Sequence, residues 1–180
     1  MRNTFQYLVV ISLLLWTCSC EKDSVRNNGQ VTVSSKFNFD DASVYGYNFE
    51  LGESTRFPAA DDPAPDVIVE HYRLLDGSVK PKFTSPSNPF GFALAGEFGD
   101  LTTSLAFFND SLLSADPLVA YAPSTDTVRK YQVWVLKSSL ERYVKIHVRD
   151  IAVVADAAGD HLEVLIDYSY QPDGSTDFPK

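Results

Sequence analysis

Three histidines, two cysteines and a few neighbouring carboxylates are the residues of this 180-residue chain whose types could carry chemistry. His71, His147 and His161 all fall in stretches of strand-like alternation, where imidazole nitrogens can ligate a metal ion or a metal-bearing cofactor. A simple hairpin turning at Ala158-Gly159 would set His161 near Ala155 and His147 near Ser169, roughly 25 Å apart along the sheet. That geometry keeps His147 and His161 off a single metal, unless a bulge or crossing between Asp150 and Val154 alters the register. The baseline for a lone strand histidine is a surface or hydrogen-bonded residue.

The carboxylates are less suggestive. Asp40-Asp41 and Asp61-Asp62 are adjacent, point to opposite sides of an extended chain and read as turn residues, not as an acid/base pair. Glu50 and Glu53 flank Gly52 in an expected hairpin. There is no Gly-x-Ser-x-Gly elbow, phosphate-cradling glycine loop, His-Glu-x-x-His helix or Asp-x-Asp-x-Asp-Gly loop. The expectation is a protein that is not an enzyme and has no dedicated metal site.

Both cysteines lie near the start, after Arg2 and the apolar run of residues 7–16. That run is too short to span a bilayer and has the order of a cleaved export signal. Its end, Thr17-Cys18-Ser19-Cys20, resembles a bacterial lipobox. Cys20, preceded by the small Ser19, is the expected acylated N-terminus; Cys18, with Leu15 three residues upstream, is the other possibility. The organisation read here is a signal peptide over residues 1–19, a lipidated N-terminus and polar tether over 20–30, and one domain over 31–180. Cleavage at Cys20 leaves no thiol in the domain, which excludes a disulfide framework or a thiolate nucleophile. Glu21-Lys22-Asp23 resembles the acidic surface-export signal of Bacteroidota lipoproteins, which implies an outer-membrane lipid anchor on the cell surface. Membrane contact would be through the acyl chains only.

The net charge is −9 and becomes one unit more negative once Arg2 is removed. So acidic a surface argues against nucleic acid or anionic lipid as partner. Aromatic residues make up 13% of the chain, enough for a folded core.

The elements are mostly strands. Residues 31–39, 44–51, 54–57 and 66–73 alternate or run apolar, the last with the continuous apolar start of a central strand buried on both sides. Asp76-Gly77 marks a tight turn, residues 80–89 with three prolines read as an irregular loop, and residues 90–96 are a short strand or a packed extended segment. Residues 131–137, 143–149 and 161–170 form a final antiparallel sheet with one apolar and one mostly wet face. Leu101, Leu105, Phe108 and Leu112 share one face of a helix over residues 100–113, with Asp100 as its N-cap. The fold class is α+β: mostly antiparallel β-sheet with one short helix.

Gly52-Glu53, the strand Asp66-Val67-Ile68-Val69-Glu70-His71-Tyr72-Arg73, Tyr143-Val144-Lys145-Ile146 and Tyr170-Gln171-Pro172-Asp173-Gly174-Ser175, in this order, resemble the HmuY-like family of Bacteroidota surface lipoproteins. The chain departs from that family at Pro65-Asp66, where a Trp-Asp is usual, and at Ser138-Ser139-Leu140-Glu141, where a Thr-x-Asp-Gly turn is usual. The resemblance implies a surface binding module, with haem as cofactor held between two His or Met side chains. Met1, the only methionine, leaves with the signal, so His71, His147 and His161 are the candidate ligands. Haem or a haemoprotein is one expected partner. The alternative is a structural, adhesive or glycan- or protein-binding lipoprotein that works through exposed aromatics such as Tyr45, Tyr47 and Phe90.

Overall fold

The computed structural model describes residues 27–61, 63–110, 120–157 and 159–178. The expected export signal, Cys18, Cys20, Glu21-Lys22-Asp23, Asp62, the stretch 111–119 with Leu112, and Ala158 lie outside the described residues.

The chain is α+β, built on a five-stranded antiparallel sheet in the order β1-β10-β9-β8-β7. Its strands are β1 (Asn28–Ser34), β7 (Phe92–Glu97), β8 (Gln132–Lys137), β9 (Tyr143–Asp156) and β10 (Gly159–Gln171). The first strand starts at Asn28, inside the stretch read as tether. It leaves this sheet at Ser35, and what reads in the sequence as one strand to residue 39 splits there. Phe37 and Asn38 (β2, Phe37–Asn38) join a second sheet with β3 (Ser43–Asn48) and β4 (Glu53–Phe57).

β5 (Ile68–Arg73) and β6 (Val79–Thr84) form a two-stranded sheet around the Asp76-Gly77 turn. This corrects two expectations. β5 is not a central strand: Ile68 and Val69 are buried but Glu70 to Arg73 are exposed. Residues 79–84 are a strand and not a loop, because Pro81, opposite His71, sits in a two-stranded sheet where a missing N–H donor is tolerated. Apolar Phe83, wholly buried, holds the strand down.

One face of the large sheet carries Phe92, Trp134, Leu136, Val144, Ile146, Val148, Val164 and Ile166, packed against Phe49, Val67 and Phe83 from the smaller sheets and the segments flanking them. Period-two alternation aims all of these the same way, and each fully buried side chain contributes roughly 1.5–3 kcal/mol. The opposite face is not wet as expected: Val133, Val135, Lys145 and His147 are buried there. Helix α1 (Leu101–Asp110) covers it, with the Phe108 ring centroid 5.7 Å from that of His147. Asp100 caps the helix as its sequence position predicts, accepting the Thr103 N–H at 2.9 Å.

Gly46 is where β3 meets the segment leading into β5. The N–H of Tyr47 donates to the Val67 carbonyl at 2.9 Å, and a Cβ on Gly46 would lie 2.3 Å from that same oxygen. Gly46→Ala is expected to lower stability by about 1–3 kcal/mol, the usual cost of overpacking, as read by urea denaturation.

Candidate functional site

The histidines separate into two groups. β9 and β10 pair with His161 opposite Val154 and His147 opposite Asp167, one and then two residues from the simple-hairpin register. The first residue of the shift is present from the turn, where Gly159 faces Asp156, and the second arises at a bulge where Leu165 faces Asp150 and Ile166 faces Val148, so Arg149 is the extra residue. His147 and His161 remain far apart along the ribbon, as the strand rise requires.

His147 is fully buried and has both nitrogens engaged. Nδ1 lies 3.0 Å from Asp167 Oδ2 and Nε2 lies 2.9 Å from Ser104 Oγ. The order serine–histidine–aspartate is that of a hydrolytic triad, and nothing in the spacing of these residues along the chain signals it. The surroundings differ from those of a nucleophile. Ser104 is wholly buried, and its hydroxyl also lies within hydrogen-bonding distance of the Leu101 carbonyl, 3.0 Å away. Asp167 is shared among His147, Gln30 at 2.7 Å and Arg149 at 3.2 Å. Burial pushes the Asp167 carboxyl up, but these donors outweigh it and hold the group below the ordinary carboxylate value. The network ties α1 to the sheet. It also leaves His147 no nitrogen for an external ligand.

His161 and His71 are brought together. Both line a cavity of about 210 Å³ that also includes Ser35, Phe37 and Phe39. Ser35 organises it: its Oγ accepts the Leu162 N–H at 2.9 Å and lies 3.0 Å from His71 Nδ1. His161 is 7% exposed, and its Nδ1 has no hydrogen-bond partner among the described residues. Asp156 Oδ2 at 3.8 Å and Glu163 Oε1 at 3.6 Å from the other ring nitrogen are near but beyond hydrogen-bond length.

His161 also lines a larger cleft of about 690 Å³, walled by the end of the β9–β10 ribbon on one side and by Phe37, Phe39 and Tyr45 on the other. The Phe37 and Phe39 rings meet edge to face with centroids 5.1 Å apart. Phe39 is 72% exposed, and Phe37 and Tyr45 are also open to solvent. Lys36 spans the rim in an ion pair of 2.6 Å with Asp156. Of the aromatics named from sequence, Tyr45 and Phe90 are exposed but Tyr47 is not. Its hydroxyl lies 3.1 Å from that of Tyr168 in the core, because β3 turns that side of the strand inward. Phe37 and Phe39 were legible only as alternating residues of one long strand; their role follows from the break at Ser35.

No group of three or more His, Cys, Asp or Glu side chains that could hold a metal ion occurs among the described residues. No helix among them is long and apolar enough to cross a membrane.

The fold and its clefts define a small β-rich α+β domain with an aromatic-walled surface site. No family model matches the chain, and no curated protein matches it. Among solved structures it is similar to a protein of Bacteroides fragilis described as a candidate lipoprotein, at 14% identity and a TM-score of 0.43, covering 83% of this chain and 95% of that one. At that distance the reading of this chain rests on its own residues.

Proposed function

We propose that this chain is a non-enzymatic binding module, lipid-anchored through Cys20 at the bacterial outer-membrane surface, whose cleft takes a flat, largely apolar ligand, with haem the first candidate. The observation that supports this is a buried imidazole with a free Nδ1, His161, beneath exposed aromatic rings, with His71 lining the adjoining cavity. Apolar walls with a few convergent polar groups are the usual make-up of a small-ligand site. His71 and His161 are the residues that would hold the group, and haem would supply an iron centre that takes nitrogen donors. His147 is not among them, since Asp167 and Ser104 occupy its nitrogens.

The test is a haemin titration followed by the Soret band. A saturable shift is expected, weakened about tenfold or more by either His71→Ala or His161→Ala and unchanged by Ser104→Ala, since loss of a ligating group removes well over 1.4 kcal/mol. A shift indifferent to both histidines defeats the haem reading. A second reading, contact with a glycan or protein surface, is supported by the openness of Phe37, Phe39 and Tyr45. It predicts no Soret change, together with binding that Phe39→Ser abolishes.

A further inference from the structure

Lys145 is 2% exposed, yet its ammonium has no hydrogen-bond or ion-pair partner among the described residues. A lysine carries three N–H donors and no acceptor, and here no protein acceptor among the described residues meets them, so they face the cleft that the residue lines. Its Nζ lies 5.0 Å from the centroid of the Phe108 ring and 5.4 Å from that of Phe178. Ring faces attract the charge, but they do not replace hydrogen bonds. Burial pushes the amine below the ordinary lysine value.

This amine lines a cleft of about 550 Å³ between α1 and the β9–β10 ribbon, with Leu105, Phe108, Arg149, Asp167 and Tyr168. The carboxylate there is already committed to Gln30, His147 and Arg149. Arg149 spends one nitrogen on Asp167 and keeps further donors. Two cations face one carboxylate, an excess of one positive charge in a chain of net charge −9.

We propose that this cleft is a second binding site, for a small organic monoanion: a carboxylate carried on an apolar body, with the carboxylate at Lys145 and Arg149 and the body against Leu105 and Phe108. A single excess charge suits one carboxylate better than a polyphosphate, and the apolar walls suit an aryl or alkyl body. Asp167 and His161 are six residues apart on β10, about 20 Å at strand rise. The site is therefore independent of the aromatic cleft and of the reading given to it.

The experiment is calorimetric titration of the full chain with 4-phenylbutyrate and with its neutral amide, repeated on Lys145→Met and Phe39→Ser. The acid is expected to bind about tenfold more tightly than the amide or better, the scale of a hydrogen bond to a charged group. Lys145→Met should erase that preference and Phe39→Ser should preserve it. Equal binding of acid and amide, no binding of either at millimolar concentration, or a preference that survives Lys145→Met overturns the proposal. If Lys145→Met does not fold, acylation of Lys145 in the unaltered chain decides, read by mass spectrometry. The acid and not the amide should slow it, and equal rates overturn the site.

Discussion

Asp66→Asn is expected to stabilise the protein above pH 6 while changing little below pH 3.8, so that the gap between variant and parent opens across that interval. Asp66 is 6% exposed, and its Oδ2 accepts the Phe49 N–H at 2.9 Å. Burial pushes the carboxyl up from 3.8 to about 6, with the Phe49 N–H opposing, Glu50 adding to the rise and Arg142 opposing it. Because the folded pKa lies above the unfolded one, the folded state holds the proton longer. This group's contribution is thus intact below pH 3.8, falls as pH rises toward 6 and then stays level. A rise of that size corresponds to about 3 kcal/mol at most.

Asparagine keeps an oxygen for the Phe49 N–H without an ionisable proton. Urea denaturation of both proteins on either side of that interval measures the difference. A gap that stays constant with pH would mean that Asp66 ionises in the fold as freely as in the unfolded chain.

His147→Ala is expected to cost about 3 kcal/mol or more, because it opens a cavity and leaves Asp167 and Ser104 each short of a partner in a buried setting. Ser104→Ala removes one contact and should cost about 1–2 kcal/mol. The two effects should be non-additive in a double-mutant cycle, since both act on one hydrogen-bonded chain from α1 to β10. A hydrolytic role predicts something different: Ser104→Ala would abolish ester hydrolysis with stability intact. Denaturation and a p-nitrophenyl acetate assay on the same preparations separate the two accounts.

The alternation of Leu162, Val164, Ile166, Tyr168 and Tyr170 was enough to find the core face of β10, because a strand's side-chain period is fixed by backbone geometry. Asp100 as N-cap was equally local: a side-chain acceptor three residues before an unpaired N–H needs no distant partner. The sites were far less legible. Lys145, His147 and Arg149 read from sequence as residues of a wet face, and Lys145 and His147 became buried only because α1 and Phe178 settle on that face. The pairing of His71 with His161 spans distinct sheets, and Ser104, His147 and Asp167 come from three separate elements.

Local pattern suffices to place most of the strands and the helix, the apolar face of each, and the net charge of −9. Those properties depend on residue periodicity and summed charge, which are written locally along the chain. Folding is what breaks the first strand at Ser35 to raise Phe37 and Phe39 over His161, shifts the register of His147 at the Arg149 bulge, and buries Lys145 beneath a helix with no protein acceptor at its amine among the described residues. Each of these depends on contacts between residues far apart in the chain, where burial and packing override what local pattern alone would assign.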